Sequence, residues 1–292
     1  MIIITGSAGF VGKALYSDLL TDEVSVIGFD KKIGVDLASD HPLIETMLTS
    51  PSPRCLVHLA SSLSTPGSIA RPEQTFRDTV MTTVTVMTAA ASLGTPVILT
   101  SSVKARDGRT PYGAAKQMAE IWAMEMARVF DIPLVINRPG TIYGQGQEGS
   151  AESGWISWFL KARADGIKVT ISGDGTQVRD LLHVDDYVRL LRKQIDDISP
   201  KRLETGHVDA RRKEFRTYDF RGGANPPTIW DVGGGEKNAV SVLDMADHLG
   251  LEYEFGPARY GDSMRYVARS QVPGWAPTTN WVAHPEFYRS QP

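Results

Sequence analysis

Thr5-Gly6-Ser7-Ala8-Gly9-Phe10-Val11-Gly12 sets glycines at three-residue intervals, directly after the apolar run Ile2–Thr5 and directly before the helix-compatible segment Lys13–Leu20. Strand, glycine turn and helix in immediate succession leave few folds open. Gly6 would permit the sharp turn, Gly9 would let backbone approach a pyrophosphate, and Gly12 would let the helix pack on the strand. The helix start, with Phe10 and Val11, would then offer N–H groups and the positive end of its dipole to phosphates. The second apolar run, Val24–Asp30, ends in an acid. A carboxylate there accepts hydrogen bonds from ribose hydroxyls and repels a 2′-phosphate, which favours NAD over NADP. Lys31 and Lys32 follow at once and pull the other way, since either ammonium would neutralise a 2′-phosphate.

Short β-rich runs go on alternating with helical patterns through the first two-thirds of the chain. Strands are expected at Leu56–Ala60, Val97–Ser101 and Leu134–Arg138, with helices at Thr75–Leu93 and Ala114–Phe130 between them. This alternation predicts an α/β fold, a Rossmann-type doubly wound parallel sheet with helices on both faces. After Tyr143-Gly144-Gln145-Gly146 the regularity breaks into glycines, tryptophans and short mixed elements. We therefore expect a dinucleotide-binding domain over 1–145, with returns near 176–200 and 228–233, and a smaller α/β substrate lobe making up most of 146–292. In that second part helices are expected near Trp155–Ala164, from Val184 and over Val242–Leu249, with a strand at Lys168–Ser172. The basic stretch Lys201–Arg221 reads as a solvated loop.

Composition narrows the setting. The 292 residues carry 31 Lys and Arg against 34 Asp and Glu, a net charge of −3, so no bulk charge points to nucleic acid or a lipid surface. Every apolar run is interrupted well short of the 18 or so residues a transmembrane helix needs, and the N-terminus lacks the pattern of a signal peptide. The one cysteine, Cys55, excludes an intrachain disulfide framework and a cysteine-cluster metal site. A soluble protein of a reducing compartment, the cytoplasm, is expected, with no metal.

Tyr112-Gly113-Ala114-Ala115-Lys116 places a phenol and an ammonium four residues apart, on one face of the Ala114–Phe130 helix. A phenol near pKa 10 is a poor base at neutral pH; a neighbouring cation stabilises the phenolate and moves the group toward working range. Tyr112 would then exchange a proton with a sugar hydroxyl. Just upstream, Thr100-Ser101-Ser102 ends a strand at the carboxyl edge of the expected sheet, where open α/β folds bind ligands. Ser102 would hydrogen-bond the reacting oxygen, or else cap the turn that follows.

With these residues in hand, the sequence resembles the extended short-chain dehydrogenase/reductases of the NAD-dependent epimerase/dehydratase type over nearly its whole length. The marks are Thr5–Gly12, Asp30, Val57-His58-Leu59-Ala60, Ser68 before Pro72, Ser101-Ser102, Tyr112 with Lys116, Arg138-Pro139 leading to Tyr143-Gly144, Gly173-Asp174-Gly175 with Arg179-Asp180, His183–Asp186, Gly233–Gly235, and Gly274-Trp275 with Pro277. The resemblance implies a catalytic set of Ser102, Tyr112 and Lys116. It implies adenine contacts from Asp36 and Leu37, with Leu59, Ala60, Ser61, Thr100 and Pro139 lining the cofactor groove. Ser68, Thr141, Arg179, Arg259 and Asp262 would meet the substrate, the two arginines on its diphosphate or else in surface ion pairs.

Departures from the family pattern bear on the substrate. Where the 4,6-dehydratases carry an acidic pair after the catalytic hydroxyl, this chain has Val103-Lys104, which argues against elimination of water. Thr79 replaces a usual Asn, Ala268 a common Asp, and only ten positions separate Ser102 from Tyr112. The expected activity is a nucleoside-diphosphate-sugar epimerase working through a transient keto-sugar. The tail Gly261–Val267 is similar to that of 2-epimerases, which keeps C2 beside C4 as the inverted centre. A nucleotide-sugar reductase using dissociable NAD(P)H is the alternative, and a non-catalytic dinucleotide sensor the third reading. A homodimer is plausible through the Thr75–Leu93 and Ala114–Phe130 helices, although Met118, Trp122 and Met126 would equally suit a monomer core.

Overall fold

A computed structural model describes residues 1–39, 53–198, 227–268 and 272–284; the basic stretch Lys201–Arg221 lies outside the described residues. Strand β1 (Ile2–Thr5) is apolar on both sides because it is covered on both sides. Ile3 packs into one core with Val86 and Met87, while Ile2 and Ile4 pack into another with Leu15 and Tyr187. Successive side chains on a strand point to opposite faces, so a strand buried between two helical layers must lose polar alternation.

The central sheet has six parallel strands in the order β2-β1-β3-β4-β5-β9. They are β2 (Val26–Phe29), β3 (Cys55–His58), β4 (Val97–Thr100), β5 (Leu134–Pro139) and β9 (Thr228–Val232) around β1. Helix α1 (Phe10–Thr21) follows β1, and α2 (Thr65–Ala70), α3 (Pro72–Phe76) and α4 (Thr82–Leu93) lie between β3 and β4. Helix α5 (Pro111–Phe130) joins β4 to β5, and α7 (Val184–Ile198) covers the α1 side of the sheet. The chain leaves β1 toward β2 and leaves β3 toward β4, in opposite directions. That divergence opens a crevice at the carboxyl ends of β1 and β3, where ligands bind in folds of this class.

The smaller lobe carries β7 (Val169–Ser172) paired in parallel with β11 (Tyr253–Gly256), and a second sheet in which β8 (Val178–His183) is flanked by β10 (Ala239–Ser241) and β12 (Arg265–Tyr266). Strand β6 (Thr141–Tyr143) also pairs with β8. Helices α6 (Trp155–Asp165) and α8 (Val242–His248) complete the lobe, whose core gathers Phe159, Ile171, Leu181 and Met245. Strand β8 thus joins β10, β12 and β6, and α7, directly after it, packs on the α1 side of the central sheet.

Two helix boundaries differ from expectation. The Thr75–Leu93 segment is not one regular helix: a π-helical turn, Arg77–Met81, joins α3 to α4. Threonine hydroxyls at 82 and 83 donate to the carbonyls of Asp78 and Thr79, competing with the regular ladder at that turn. Helix α5 starts at Pro111 rather than Ala114, since Thr110 accepts the Gly113 N–H at 3.1 Å and Pro111 has no N–H to satisfy.

Candidate active site

At Gly6 the backbone has φ +74°, and a Cβ there would lie 2.6 Å from the Ala60 nitrogen. At Gly12 a Cβ would fall 2.0 Å from the Gly6 carbonyl oxygen, so α1 seats against the turn only without a side chain. No side chain caps α1; Gly9 stands at its N-cap. The helix start therefore keeps its N–H groups for a ligand. Across the turn the Asp30 carboxylate accepts from Ala8 N–H at 3.1 Å and Lys32 N–H at 2.8 Å, which pins it at the end of β2. A tight, side-chain-free cradle at a helix start, with a fixed carboxylate beside it, fits an adenine dinucleotide.

One cleft of about 640 Å³ runs from this cradle into the smaller lobe. Gly6, Gly9, Phe10, Val11, Gly12, Asp30, Leu37, Leu59, Ala60, Ser61, Thr100 and Pro139 all line it, as do Ser102, Tyr112, Lys116, Thr141, Arg179 and Arg259. Three expected residues stand elsewhere. The Asp36 carboxylate accepts from Ala38 N–H at 3.0 Å and lies 3.4 Å from the Lys31 ammonium, so it serves its own turn and an ion pair. Ser68 is fully buried: its hydroxyl donates to the Thr65 carbonyl at 2.7 Å and accepts the Tyr112 N–H at 3.1 Å. It caps α5 from outside rather than facing the cleft. Asp262 is turned to Arg179 at 2.7 Å, and its carboxylate is not on the cleft wall.

Ser102, Tyr112 and Lys116 come together at the carboxyl end of β4. Of the two roles its position suggested, the structure shows the cap: Ser102 accepts Lys104 N–H at 3.3 Å at the start of the turn Val103–Arg106, and its hydroxyl stands beside the Tyr112 phenol. Burial pushes the Tyr112 phenol above its ordinary value, and the Ser102 bond opposes that rise. The direction is thus set by desolvation against the Ser102 bond, and the lowering by the Lys116 charge that spacing suggested is not what governs it. Lys116 donates to the Thr100 carbonyl at 2.9 Å, and burial brings its pKa down to about 8 against the upward pull of Glu120.

Glu120 escaped the sequence reading. It is 1% exposed, one turn beyond Lys116, and accepts from the Ser101 hydroxyl and from Arg138 at 2.5 Å. The repeat Tyr112, Lys116, Glu120, four residues apart each time, was the available signal. Lys104 is the other omission: its ammonium lines the cleft, donates to Thr65 Oγ1 at 2.9 Å and lies 3.8 Å from Asp262.

Residues 2–204 match the NAD dependent epimerase/dehydratase family. This chain belongs to that family. A CDP-paratose 2-epimerase of Salmonella typhi is 23% identical over 330 residues, covering 91% of this chain and 90% of that protein. A UDP-glucose 4-epimerase of Mycolicibacterium smegmatis is 26% identical over 219 residues, 64% of this chain and 70% of its own. Among solved structures, MoeE5 in complex with UDP-glucuronic acid and NAD superposes with a TM-score of 0.77 at 26% identity, over 99% of this chain and 98% of that one. The central sheet is thus Rossmann-type, and the protein is an enzyme of a family that includes epimerases and dehydratases. Among the described residues no helix is long and apolar enough to cross a membrane.

Proposed function

We propose that this enzyme is an NAD-dependent epimerase of a nucleoside-diphosphate sugar. The observation that carries the reading is the trio Ser102, Tyr112 and Lys116 on the cleft wall with Val103-Lys104, not two carboxylates, next in sequence. When bound, NAD would supply a reversible hydride acceptor and, in its oxidised form, a positive charge. Tyr112 accepts the proton of a ring hydroxyl and returns it, Ser102 holds that oxygen, and Lys116 keeps positive charge near the phenol. Rotation of the keto-sugar between loss and return of hydrogen inverts the centre, and no further acid or base is needed. Eliminating water would require a proton taken from one carbon and given to a leaving hydroxyl on the next, and Val103-Lys104 provides no carboxyl pair for it.

Asp30 at the ribose end supports NAD over NADP. So does the capture of Lys31 by Asp78 and Asp36, which neutralises an ammonium that would favour a 2′-phosphate. Arg179 and Arg259 would take the diphosphate as bidentate donors, with Thr141 and Ser102 at the sugar. The active form is a homodimer: Met118, Ile121 and Trp122 on the outer face of α5 are 41%, 57% and 42% exposed, whereas Met126 packs toward the core.

Denaturing the purified protein and quantifying the released dinucleotide tests the reading. Near-stoichiometric NAD that survives purification, followed by inversion of a sugar nucleotide observed by NMR, is expected. An empty site that binds NADPH reversibly would overturn it in favour of a reductase. Tyr112→Phe should retain the dinucleotide and lose turnover by roughly 10²- to 10⁴-fold; unchanged turnover would remove Tyr112 from the chemistry.

A further inference from the structure

Ser102 sits in a segment whose two ends are both held by carboxylates. Ser101, just before it, is buried and donates its hydroxyl to Glu120 of α5. Arg106, at the far end of the turn Val103–Arg106, lies 3.5 Å from the Asp231 carboxylate of β9. One guanidinium joins the two acids. Arg138 of β5 donates through Nε to both Glu120 oxygens, at 2.9 and 3.1 Å, and through Nη2 at 2.5 Å. Asp231 is its cross-strand partner in the β5–β9 pairing, and the negative charge of that acid stabilises the guanidinium. Charge therefore alternates along Glu120, Arg138, Asp231 and Arg106, and the chain begins and ends on the segment that carries Ser102. None of the four lines the cleft. Packing alone does not call for such a chain, since apolar residues of similar volume often replace an ion pair inside a fold without loss of stability.

Glu120 also stands one turn beyond Lys116 on α5 and raises the pKa of that ammonium against burial. No other group around Lys116 brings a negative charge. Thr100 of β4 offers a carbonyl at 2.9 Å, and the Tyr187 phenol of α7 is engaged on Thr100 Oγ1 at 2.7 Å. Burial holds the Tyr112 phenol above its ordinary value, while burial and the Lys116 charge bring His58 of β3 down to about 3, so both are neutral around pH 8. The hold that Glu120 has on Lys116 is thus set by how firmly Arg138 and Ser101 keep its oxygens.

We propose that Arg138 is a positioning residue for the reaction: by joining Glu120 to Asp231 it fixes both ends of the Ser102 segment, and it keeps Glu120 from pairing fully with Lys116. This rests on the epimerase reading above, in which Ser102 and Lys116 serve Tyr112. Arg138 takes no part in the proton transfer; it acts through the two acids on the groups that do.

The holoenzyme is assayed by NMR for inversion of UDP-glucose, UDP-glucuronic acid, dTDP-glucose and CDP-glucose, and the best of these is carried through the variants. Arg138→Met should keep its dinucleotide and nearly the parent KM, and lose kcat by roughly ten- to a hundredfold, the scale of a misplacement of about 1 Å. Its alkaline limb should move to higher pH, because Glu120 is released to Lys116, whereas Glu120→Gln should move the limb to lower pH. General damage to the fold would not shift the two in opposite directions. Arg138→Lys, which restores the charge without the fork, should return the limb and recover part of kcat. Arg106→Met, at a side chain 46% exposed, should lower kcat and leave the limb in place, since it removes only the Asp231 end. A parent-like kcat in Arg138→Met overturns the proposal, as does a limb that stays or falls. If Arg138→Met does not fold, parent-like kcat in both Arg138→Lys and Arg106→Met overturns it instead. Should the parent holoenzyme invert none of the four sugar nucleotides, the epimerase reading itself falls, and this inference with it; with the parent active, an unchanged Arg138→Met removes the inference alone.

Discussion

Lys116 and Glu120 show how one residue's environment becomes a property of the reaction. The Lys116 ammonium is retained only below about pH 8, because its burial costs more than Glu120 returns. Activity that needs this charge should decline on the alkaline side, with a limb at or below pH 8 in the kcat/KM profile. Glu120→Gln removes the contribution that raises the Lys116 pKa, so the limb should move to lower pH. An unmoved limb would show that Lys116 does not set it. Stability carries the opposite sign. Between about 8 and the ordinary value of 10.5 the unfolded chain binds a proton that the folded chain does not, so this group makes folding more favourable as pH rises through that window. Glu120→Gln also takes the charge and one acceptor oxygen from the bidentate pair with the partly exposed Arg138, so its cost falls below the about 3–5 kcal/mol of a fully buried pair. A thermal melt of Glu120→Gln should therefore lie below that of the parent; an equal melting temperature would show that the pair contributes little.

At the scale of elements, the site is made of helix and strand ends brought together by close backbone contacts. Helix α5 delivers Tyr112 from its first turn, and three groups hold that turn: the Thr110 hydroxyl, the ring of Pro111 and the buried Ser68 hydroxyl from α2. Ser68→Ala leaves the Tyr112 N–H buried and unpaired, which costs about 1–3 kcal/mol. The expected result is a lower melting temperature together with a lower kcat, since the phenol loses one of its anchors. A drop in stability with kcat intact would mean the cap is structural only. Gly113 allows the same helix to meet the preceding turn, because a Cβ there would sit 2.6 Å from the Lys104 carbonyl oxygen. At the other end of the cleft, Gly12→Ala drives a methyl into the Gly6 carbonyl and should empty the dinucleotide site. Full dinucleotide content in that variant would contradict the cradle.

The whole molecule divides its labour between a rigid sheet and a grafted lobe. Both faces of the six-stranded sheet are packed, which fixes β1, β3 and β4 and with them the glycine turn, Ala60 and Ser102. The lobe supplies Arg179 and Arg259 from different strands and loops, so the cleft exists only once both parts have folded. The apolar outer face of α5 belongs to this scale as well. If the proposed homodimer forms there, light scattering should give twice the chain mass, and Ile121→Glu should halve it by placing a charge in the proposed seam. A monomeric parent protein would assign Met118, Ile121 and Trp122 to plain surface.

The dinucleotide cradle was legible in the chain itself, because its demands are local: a turn with φ above zero, two close backbone approaches and an acid at the end of the next strand are all encoded within thirty residues. Tyr112 and Lys116 were legible for the same reason, as one helical turn puts them on one face. What the sequence could not determine were contacts between residues distant along the chain. Ser68 in place of a substrate ligand, Asp262 drawn to Arg179, and Glu120 closing on Arg138 and Ser101 each depend on which polar group finds which partner inside a packed core. The Tyr112 pKa belongs there too: proximity to Lys116 follows from spacing, but the burial that raises it arises only when the folded chain packs around the phenol.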